Sequence, residues 1–303
     1  MTIDPALSIS QSAAIVKPGR ALPIAGFALL CLCWGATWLP LKHGVAVMPP
    51  LLFAASRFLA GGLLLWVAGG CRRPPPFRWL WPGAVLMIAA NYGLMAWGAR
   101  LVPTGLAATV NFATVPLTIL LLSGRRPGPS QIAALAIGAA GLGLVAWAAG
   151  TRFSGTPTGL GAIALGAACY GLGTVRLKRL SPVLPPVALA GWHSLAGGAL
   201  LLGLSTILEP WDAGLGRHLV EPTALANWAL LILLGTVLGF TLYLALLRHW
   251  SAAAVASYAY VCPVMALALG VLVEGERPSP AAWIASLMLI GAAALALTSK
   301  EPS

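Results

Sequence analysis

Two ionisable side chains, Arg57 and His193, fall in the middle of long apolar stretches of the sequence. A guanidinium in an apolar medium is costly, so it needs an anionic partner, a wet cavity or neighbouring carbonyls. Arg57 therefore favours binding of a carboxylate through paired hydrogen bonds. The alternative is that Arg57 bonds helix-end carbonyls or reaches the interface by its long stem. His193 can titrate near neutral pH, or it can simply bond a neighbouring carbonyl.

Aromatic and amide side chains recur at a similar depth in the apolar stretches. Trp and Tyr offer a flat apolar surface with a polar tip, and Asn offers both a donor and an acceptor. The alternative for the asparagines is a hydrogen bond between helices. With Arg57 and His193, they form the set predicted to bind a small molecule: Trp34, Asn91, Tyr92, Asn111, Tyr170, Trp192, Tyr243 and Tyr258.

All seven acidic residues lie outside the middle of the apolar stretches. Hydrolytic chemistry inside a membrane needs an activated nucleophile or metal ligands, so an intramembrane enzyme is the distant alternative. A proton-coupled pump usually keeps a carboxylate at depth, which favours flux down a gradient. We expect no cofactor and no metal, and five dispersed cysteines give no disulfide framework. The acids are Asp4, Glu209, Asp212, Glu221, Glu274, Glu276 and Glu301.

The amino-acid composition indicates whether the chain is surrounded by water or by lipid. Of the 303 residues, 59% are hydrophobic and 8% are charged, and the mean hydropathy is +0.89. A soluble domain is about a quarter charged, so a cytosolic enzyme is excluded. The net charge of +11 is spread between apolar runs and does not form a nucleic-acid-binding patch. The expected surroundings are therefore a lipid bilayer.

The elements that position these residues are predicted to be ten membrane-spanning helices, because a span needs about 20 apolar residues. Uniformly apolar runs exclude a barrel, whose strands alternate. The fold class is thus an all-α membrane protein. The runs cover residues 22–41, 51–70, 80–100, 105–123, 132–149, 160–177, 183–208, 225–247, 252–273 and 281–297.

The distribution of Lys and Arg predicts the orientation of the chain. One set of alternate loops holds 12 cations and the other holds five. Cations are retained on the cytoplasmic side, so both termini are predicted to be cytoplasmic. Residues 1–20 are expected to form a cytoplasmic tail, and the first apolar run to be an uncleaved span.

The chain also contains an internal repeat. Leu-Ala-Gly-Gly at 59–62 recurs at 195–198, an offset of 136 that also aligns Lys42 with Lys178. Further along the offset becomes 147 and then 150. We therefore predict two five-helix repeats, at 21–150 and 157–299. Because five is odd, the two copies run antiparallel across the membrane, and such inverted repeats support alternating access.

Two prolines fall near the middle of equivalent runs, Pro116 in the fourth and Pro263 in the ninth. Each removes a backbone hydrogen bond and can bend its helix. We predict hinges for alternating access at both positions. The alternative is a static kink accommodated by neighbouring helices.

The two repeats, together with Trp34-Gly35, Arg57 and the paired prolines, resemble the EamA-type group of the drug/metabolite transporter superfamily. Glu274-Gly275-Glu276 is similar to the acidic turn of that family. The first repeat departs from it, with Gly124-Arg125-Arg126 and no acid. The resemblance covers about residues 21–299. It implies a multi-pass protein of the bacterial inner membrane that exports amino acids or related metabolites, with the aromatic amino acid exporters most similar.

The sequence thus predicts a transporter that exports small zwitterionic metabolites, foremost aromatic or other neutral amino acids, by facilitated diffusion. A proton-coupled exporter of drugs or other metabolites with the same fold is the alternative. A receptor or scaffold would need a larger loop or a soluble domain than the sequence contains. The predicted partners are the bilayer and the small-molecule substrate, with no nucleic acid, in a monomer or weak homo-oligomer.

Overall fold

The chain forms helices and no strand throughout the residues described by its computed structural model. These are residues 21–37, 40, 48–98, 100–102, 104–124, 126–148, 150, 156–180, 184–211, 222–275 and 277–298. Eight helices are long and apolar enough to cross a membrane, and two further apolar helices are shorter. The predicted tail at 1–20 and Lys42 lie outside the described residues.

Each apolar run predicted from the sequence overlaps one helix, and we number these helices α1 to α10. That all ten cross the bilayer stays a prediction, because the apolar stretches of α1 and α4, Leu22–Ala36 and Leu106–Leu122, are shorter than those of the other eight. The bounds are α1 Ala21–Ala36, α2 Pro50–Ala68, α3 Phe77–Gly98, α4 Thr104–Leu122, α5 Pro129–Ala148, α6 Pro157–Leu180, α7 Pro186–Leu208, α8 222–249, α9 Ala252–Ala256 continued by Tyr258–Glu274, and α10 Pro280–Thr298.

Proline marks where many of these helices start. The first helical position has no intrahelical partner for its N–H, so the missing proton of proline costs nothing there, and its fixed φ already suits the helix. The turns between apolar runs therefore also set the first residue of the next helix. Helices that begin in this way start at Pro50, Pro129, Pro157, Pro186, Pro222 and Pro280.

Both α3 and α8 are π-helical in the middle, over Pro82–Ala90 and Leu231–Phe240. A π-helix is rare at this length and is frequently found at functional sites. The two segments end immediately before Asn91 and Thr241, which are 150 residues apart, close to the offset of 147 that aligns Pro116 with Pro263. The third helix of each half therefore carries the same backbone irregularity in the same place.

Helices α2 and α7 cross at the repeated Leu-Ala-Gly-Gly motifs. A Cβ on Gly62 would lie 2.8 Å from the backbone nitrogen of Leu195, and a Cβ on Gly198 would lie 3.0 Å from that of Leu59. Small residues let the two backbones approach closely. Residue numbers rise along α2 as they fall along α7, so the two helices are antiparallel.

Around this crossing, equivalent helices of the two halves make equivalent contacts with the opposite half. Helix α1 packs on α8, and α6 packs on α3. Gly239 lies against the indole of Trp34, and Gly173 lies against Met87. The first helix of each half thus packs on the π-helical third helix of the other half.

Helices α5 and α10 pack on each other at the edge of the bundle, as the scarcity of polar atoms in these runs predicts. Their apolar windows are 28% and 33% buried, the lowest values of the eight long helices. Glycines allow close contact between helices, and two of the four in this pair do so. Gly138 contacts Tyr260 and Gly141 contacts Leu289, but Gly143 and Gly291 face open space.

Candidate functional site

A cavity of about 90 Å³ lies at the centre of the bundle, enclosed by α1, α2, α3, α4, α6, α8 and α9. Seven of the ten residues predicted to bind a small molecule line this cavity. The helices that carry them are far apart in the sequence, and the fold brings their middle sections together. The seven residues are Trp34, Arg57, Asn91, Tyr92, Asn111, Tyr170 and Tyr258.

Among the described residues that line the cavity, Arg57 is the charged one. Its side chain is 4% exposed, and its Cζ lies 4.5 Å from the ring centre of Phe58 and 4.6 Å from that of Tyr92. Attraction between the cation and the ring faces offsets part of the burial cost. The guanidinium Nε still has no hydrogen-bond partner among the described residues.

Three more buried polar atoms on the cavity wall lack a partner among the described residues. They are Oδ1 of Asn91, Oδ1 of Asn111 and the hydroxyl of Tyr170. A buried polar atom without a hydrogen bond costs about 1–3 kcal/mol, so native structures rarely leave one unmet. Four such atoms around one cavity leave unused hydrogen-bonding capacity at its wall.

One side of the cavity is closed by stacked aromatic rings. Trp34 packs on Tyr243 at a centroid distance of 5.3 Å and on Tyr258 at 4.6 Å. Tyr170 lies 5.6 Å from Tyr243, whose hydroxyl is 2.6 Å from that of Thr174. Tyr243 therefore does not line the cavity but supports the rings that do.

The π-helical part of α8 holds the Trp34 ring in position. The indole Nε1 donates a hydrogen bond of 3.1 Å to the carbonyl of Gly235. A Cβ on Gly235 would lie 3.6 Å from Nη1 of Arg57, so this residue touches both the aromatic and the cationic side of the cavity. Gly235 and Gly239 both contact Trp34, so these small residues let the indole approach the backbone of α8.

Besides Tyr243, two of the residues predicted to bind a small molecule do not line the cavity. Trp192 donates from Nε1 to the carbonyl of Arg72, in the connection between α2 and α3. His193 is fully buried, and its Nε2 lies 2.8 Å from the carbonyl of Trp79. The alternative given for His193 in the sequence analysis, a bond to a carbonyl, is the contact found.

The two prolines predicted to be hinges lie inside helices. Pro116 lies within α4 and Pro263 within the Tyr258–Glu274 segment of α9. The interruption of α9 falls instead at Ser257, the residue before the cavity-lining Tyr258. Whether either proline bends during a functional cycle stays a prediction.

Five cavity residues were missed by the sequence analysis. Four of them are apolar or small, and in a chain that is 59% hydrophobic such residues carry no signal until the packing is known. Thr37 could have been found from the sequence, because it lies one helical turn beyond Trp34, which is predicted to bind a small molecule. The five are Thr37, Met95, Phe112, Val115 and Gly235.

A second polar cluster lies at the end of α7 and was also missed. The Glu209 carboxylate accepts hydrogen bonds from the backbone nitrogens of Leu51 and Leu52, at 2.8 and 3.0 Å. It also accepts one from Ser205 and forms an ion pair of 3.2 Å with Arg100. This carboxylate satisfies N–H groups that the start of α2 would leave unpaired.

No metal-binding group of three His, Cys, Asp or Glu side chains occurs in the described part of the chain, and all five cysteines are free. The chemistry available at the cavity is therefore recognition by hydrogen bonds, one fixed positive charge and aromatic surfaces.

Comparison with known proteins identifies the family of the chain. A model of the EamA-like transporter family matches the chain twice, at residues 22–147 and 157–298. The chain belongs to this family. It is therefore a membrane transporter and not an enzyme, as the sequence analysis predicts, and the cavity lies in the centre of an EamA-like fold.

Individual relatives extend over nearly the whole chain. The inner membrane transporter YedA of Escherichia coli K12 is 34% identical over 295 residues, which is 93% of this chain and 92% of YedA. The transporter YvbV of Bacillus subtilis is 30% identical over 275 residues, 87% of each chain. A crystal structure with 24% sequence identity has the same fold, with a TM-score of 0.78 over 91% of this chain and 96% of the other.

Proposed function

We propose that this EamA-like transporter exports small zwitterionic metabolites, foremost aromatic and other neutral amino acids, across the bacterial inner membrane through the central cavity. The observation that carries the proposal is the set of four unpaired polar atoms around that cavity: Nε of Arg57, Oδ1 of Asn91, Oδ1 of Asn111 and the Tyr170 hydroxyl.

The charges of a zwitterion complement these four atoms. A carboxylate accepts hydrogen bonds from the Arg57 guanidinium, and a charge-assisted bond is about twice as strong as a neutral one. An ammonium group has three donors and no acceptor, which suits the two amide oxygens of Asn91 and Asn111. An organic cation would meet Arg57 with no carboxylate on the described cavity wall to balance it.

The aromatic residues suit the apolar body of such a substrate. Rings of Trp34, Tyr92 and Tyr258 form part of the cavity wall and offer flat apolar surfaces. The cavity volume of about 90 Å³ is below the range of about 300–1,000 Å³ usual for ligand sites. We infer that this conformation is partly closed and that the rings separate when substrate enters.

The equivalent contacts that each half makes with the other support the proposed inverted repeats. Helices α2 and α7 are antiparallel and meet at matching glycines, and the two π-helical segments occupy equivalent positions. In an inverted pair, exchange of the two conformations opens the central site to each side in turn. We propose ten spans with cytoplasmic termini, because the 12-to-five distribution of cations orients the chain in that way.

Facilitated diffusion fits the residues at membrane depth. A proton relay inside a membrane is usually built on Asp, Glu or His, and the described cavity wall contains none of them. His193 lies outside that wall and contacts a backbone carbonyl. The proposed driving force is thus the gradient of the substrate itself.

The test measures exchange of radiolabelled phenylalanine in liposomes that contain the purified protein, without a pH gradient. We expect Arg57→Gln to slow exchange by about tenfold or more, since a hydrogen bond to a charged group contributes about 1.5–3 kcal/mol. Trp34→Phe should also slow exchange, because it removes the indole bond to Gly235. Trp192→Phe is the matched control and should leave the rate nearly unchanged.

Two outcomes contradict the proposal. Exchange that requires an imposed proton gradient would rule out facilitated diffusion. Transport of quaternary ammonium compounds without any amino acid exchange would rule out the substrate class and favour a drug exporter of the same fold.

A further inference from the structure

A second cavity, of about 450 Å³, lies at the side of the bundle between the start of α2, the second half of α3 and the end of α7. We call it the lateral groove. Small residues of α3, Ala89, Ala90 and Gly93, form its floor. Trp97, Leu204 and Leu208 border it and are all exposed, so the groove opens outward from the bundle.

The lining of the lateral groove and its position on the bundle limit the kind of molecule that can bind there. Its lining is mostly apolar side chains, and an apolar cavity of this kind does not hold ordered water. A groove that opens sideways from a membrane-spanning bundle faces hydrocarbon, so the molecules that reach it are lipids.

One end of the lateral groove is charged. Arg100 and Glu209 both border it, and their side chains are 49% and 2% exposed. The carboxylate is enclosed by Leu51, Leu52 and Ser205 and is unavailable to a ligand. The half-exposed guanidinium has five donors, one of whose nitrogens is used by Glu209, and guanidinium groups match phosphate geometry.

The length of the lateral groove matches one leaflet. From Trp97 to Ala89 the groove follows eight steps along α3, which is roughly 12 Å at the rise of an α-helix, and Arg100 lies beyond the end of that helix. Half of the hydrocarbon core of a bilayer is about 15 Å thick. A phosphate at Arg100 would therefore place an acyl chain along the whole groove.

We propose that the lateral groove binds an anionic phospholipid, with the phosphate at Arg100 and an acyl chain along Gly93 and Ala90. Helix α3 is the partition between this lipid and the central cavity. Its residues Asn91, Tyr92 and Met95 face the central cavity, whereas their neighbours 89, 90, 93 and 94 face the lateral groove. Bound lipid thereby supports the helix that carries two of the substrate-binding residues.

The test uses the full-length protein in nanodiscs that contain phosphatidylglycerol with a photoactivatable acyl chain. Labelled peptides are identified by mass spectrometry, and phosphatidylcholine with the same chain serves as the comparison lipid. We expect phosphatidylglycerol to label α3 and α7 more strongly than α10, and more strongly than phosphatidylcholine does.

Substitutions at Gly93 and Arg100, with a control at Gly291, distinguish lipid bound in the lateral groove from lipid that merely surrounds the protein. Gly93→Leu should fill the groove, because a Cβ there meets Leu51 and Leu201 at an ordinary 3.9 Å, and should lower the labelling of α3 and α7 to that of α10. Gly291→Leu is the matched control, since a Cβ there has nothing within 4 Å, and should change nothing. Arg100→Gln should abolish the preference for phosphatidylglycerol, and Arg100→Lys should keep part of it.

Equal labelling of α3, α7 and α10 in the native protein would overturn the proposal, as would labelling that Gly93→Leu leaves intact. Equal labelling by the two lipids would overturn the role of the phosphate. None of these measurements depends on transport, so the lateral groove and the proposed substrate are tested separately.

Discussion

At the residue scale, the buried side chains of Glu209 and Arg57 have opposite surroundings. Glu209 has its carboxylate enclosed by two backbone N–H groups, a hydroxyl and an arginine. Arg57 has two ring faces and an Nε with no partner among the described residues. The first arrangement is that of a structural charge, and the second leaves capacity for a ligand.

Removing the structural charge should destabilise the fold. Glu209→Ala leaves two N–H groups of α2 and the Ser205 hydroxyl without their acceptor, and we expect a loss of about 3 kcal/mol, typical of breaking a buried pair. Arg100→Ala should cost less, about 1 kcal/mol, because its half-exposed guanidinium is screened by solvent. Unfolding in detergent measures both, and equal losses would contradict the assignment of Glu209 as the centre of the cluster.

The burial of Arg57 can be predicted from the sequence, whereas the burial of Glu209 cannot. Arg57 interrupts a long apolar run, so its depth and its need for a partner follow from hydropathy alone. Glu209 follows the seventh run and looks like an ordinary loop residue. Its partners come from α2, α7 and Arg100 beyond the end of α3, and no spacing in the sequence indicates that these segments meet.

At the element scale, close backbone approach at glycines sets the geometry of the bundle. The crossing of α2 and α7 depends on the absence of a Cβ at Gly62 and Gly198. The sequence contains the motif twice, but nothing in it indicates that the two copies pack on each other. It does not distinguish contact glycines from exposed ones, as Gly143 and Gly291 show, because both kinds occur in equally apolar surroundings.

A single methyl group at the crossing should be disruptive. In Gly62→Ala the new Cβ would lie 2.8 Å from the Leu195 nitrogen, and backbone cannot move aside as a side chain can. We expect a loss of about 1–3 kcal/mol, as for other overpacked sites. Gly203→Ala on α7 is the control, because its Cβ meets nothing within 4 Å, and it should be neutral or slightly stabilising. Detergent unfolding of both variants checks the difference, and similar losses would argue against the crossing.

At the scale of the whole molecule, the all-helical fold and the family are as predicted, and eight of the helices are long and apolar enough to cross a membrane. What the sequence could not supply is the register between helices, which decides that Tyr92 reaches the cavity and Trp192 does not. Register depends on packing between segments distant in the chain, and apolar runs of similar composition specify it weakly.

The orientation of the whole molecule is tested by fusions at its C-terminus. The excess of cations in one set of loops places that end in the cytoplasm, so an alkaline phosphatase fused after Ser303 should be inactive and a fluorescent protein should fluoresce. A phosphatase fused within the connection after α7, near Trp211, should be active. The reverse pattern would invert the proposed topology.

The buried guanidinium of Arg57, whose Nε has no hydrogen-bond partner in the described part of the chain, also has an electrical consequence. If the cation stays with the protein and the cargo is a zwitterion, each turnover moves no net charge across the membrane. A moved charge would be worth about 2.3 kcal/mol per 100 mV, so a neutral cycle should exchange phenylalanine at the same rate with the membrane potential clamped to either sign. A clear dependence on potential, measured with potassium and valinomycin, would mean that an ion accompanies the substrate or that Arg57 itself moves through the field.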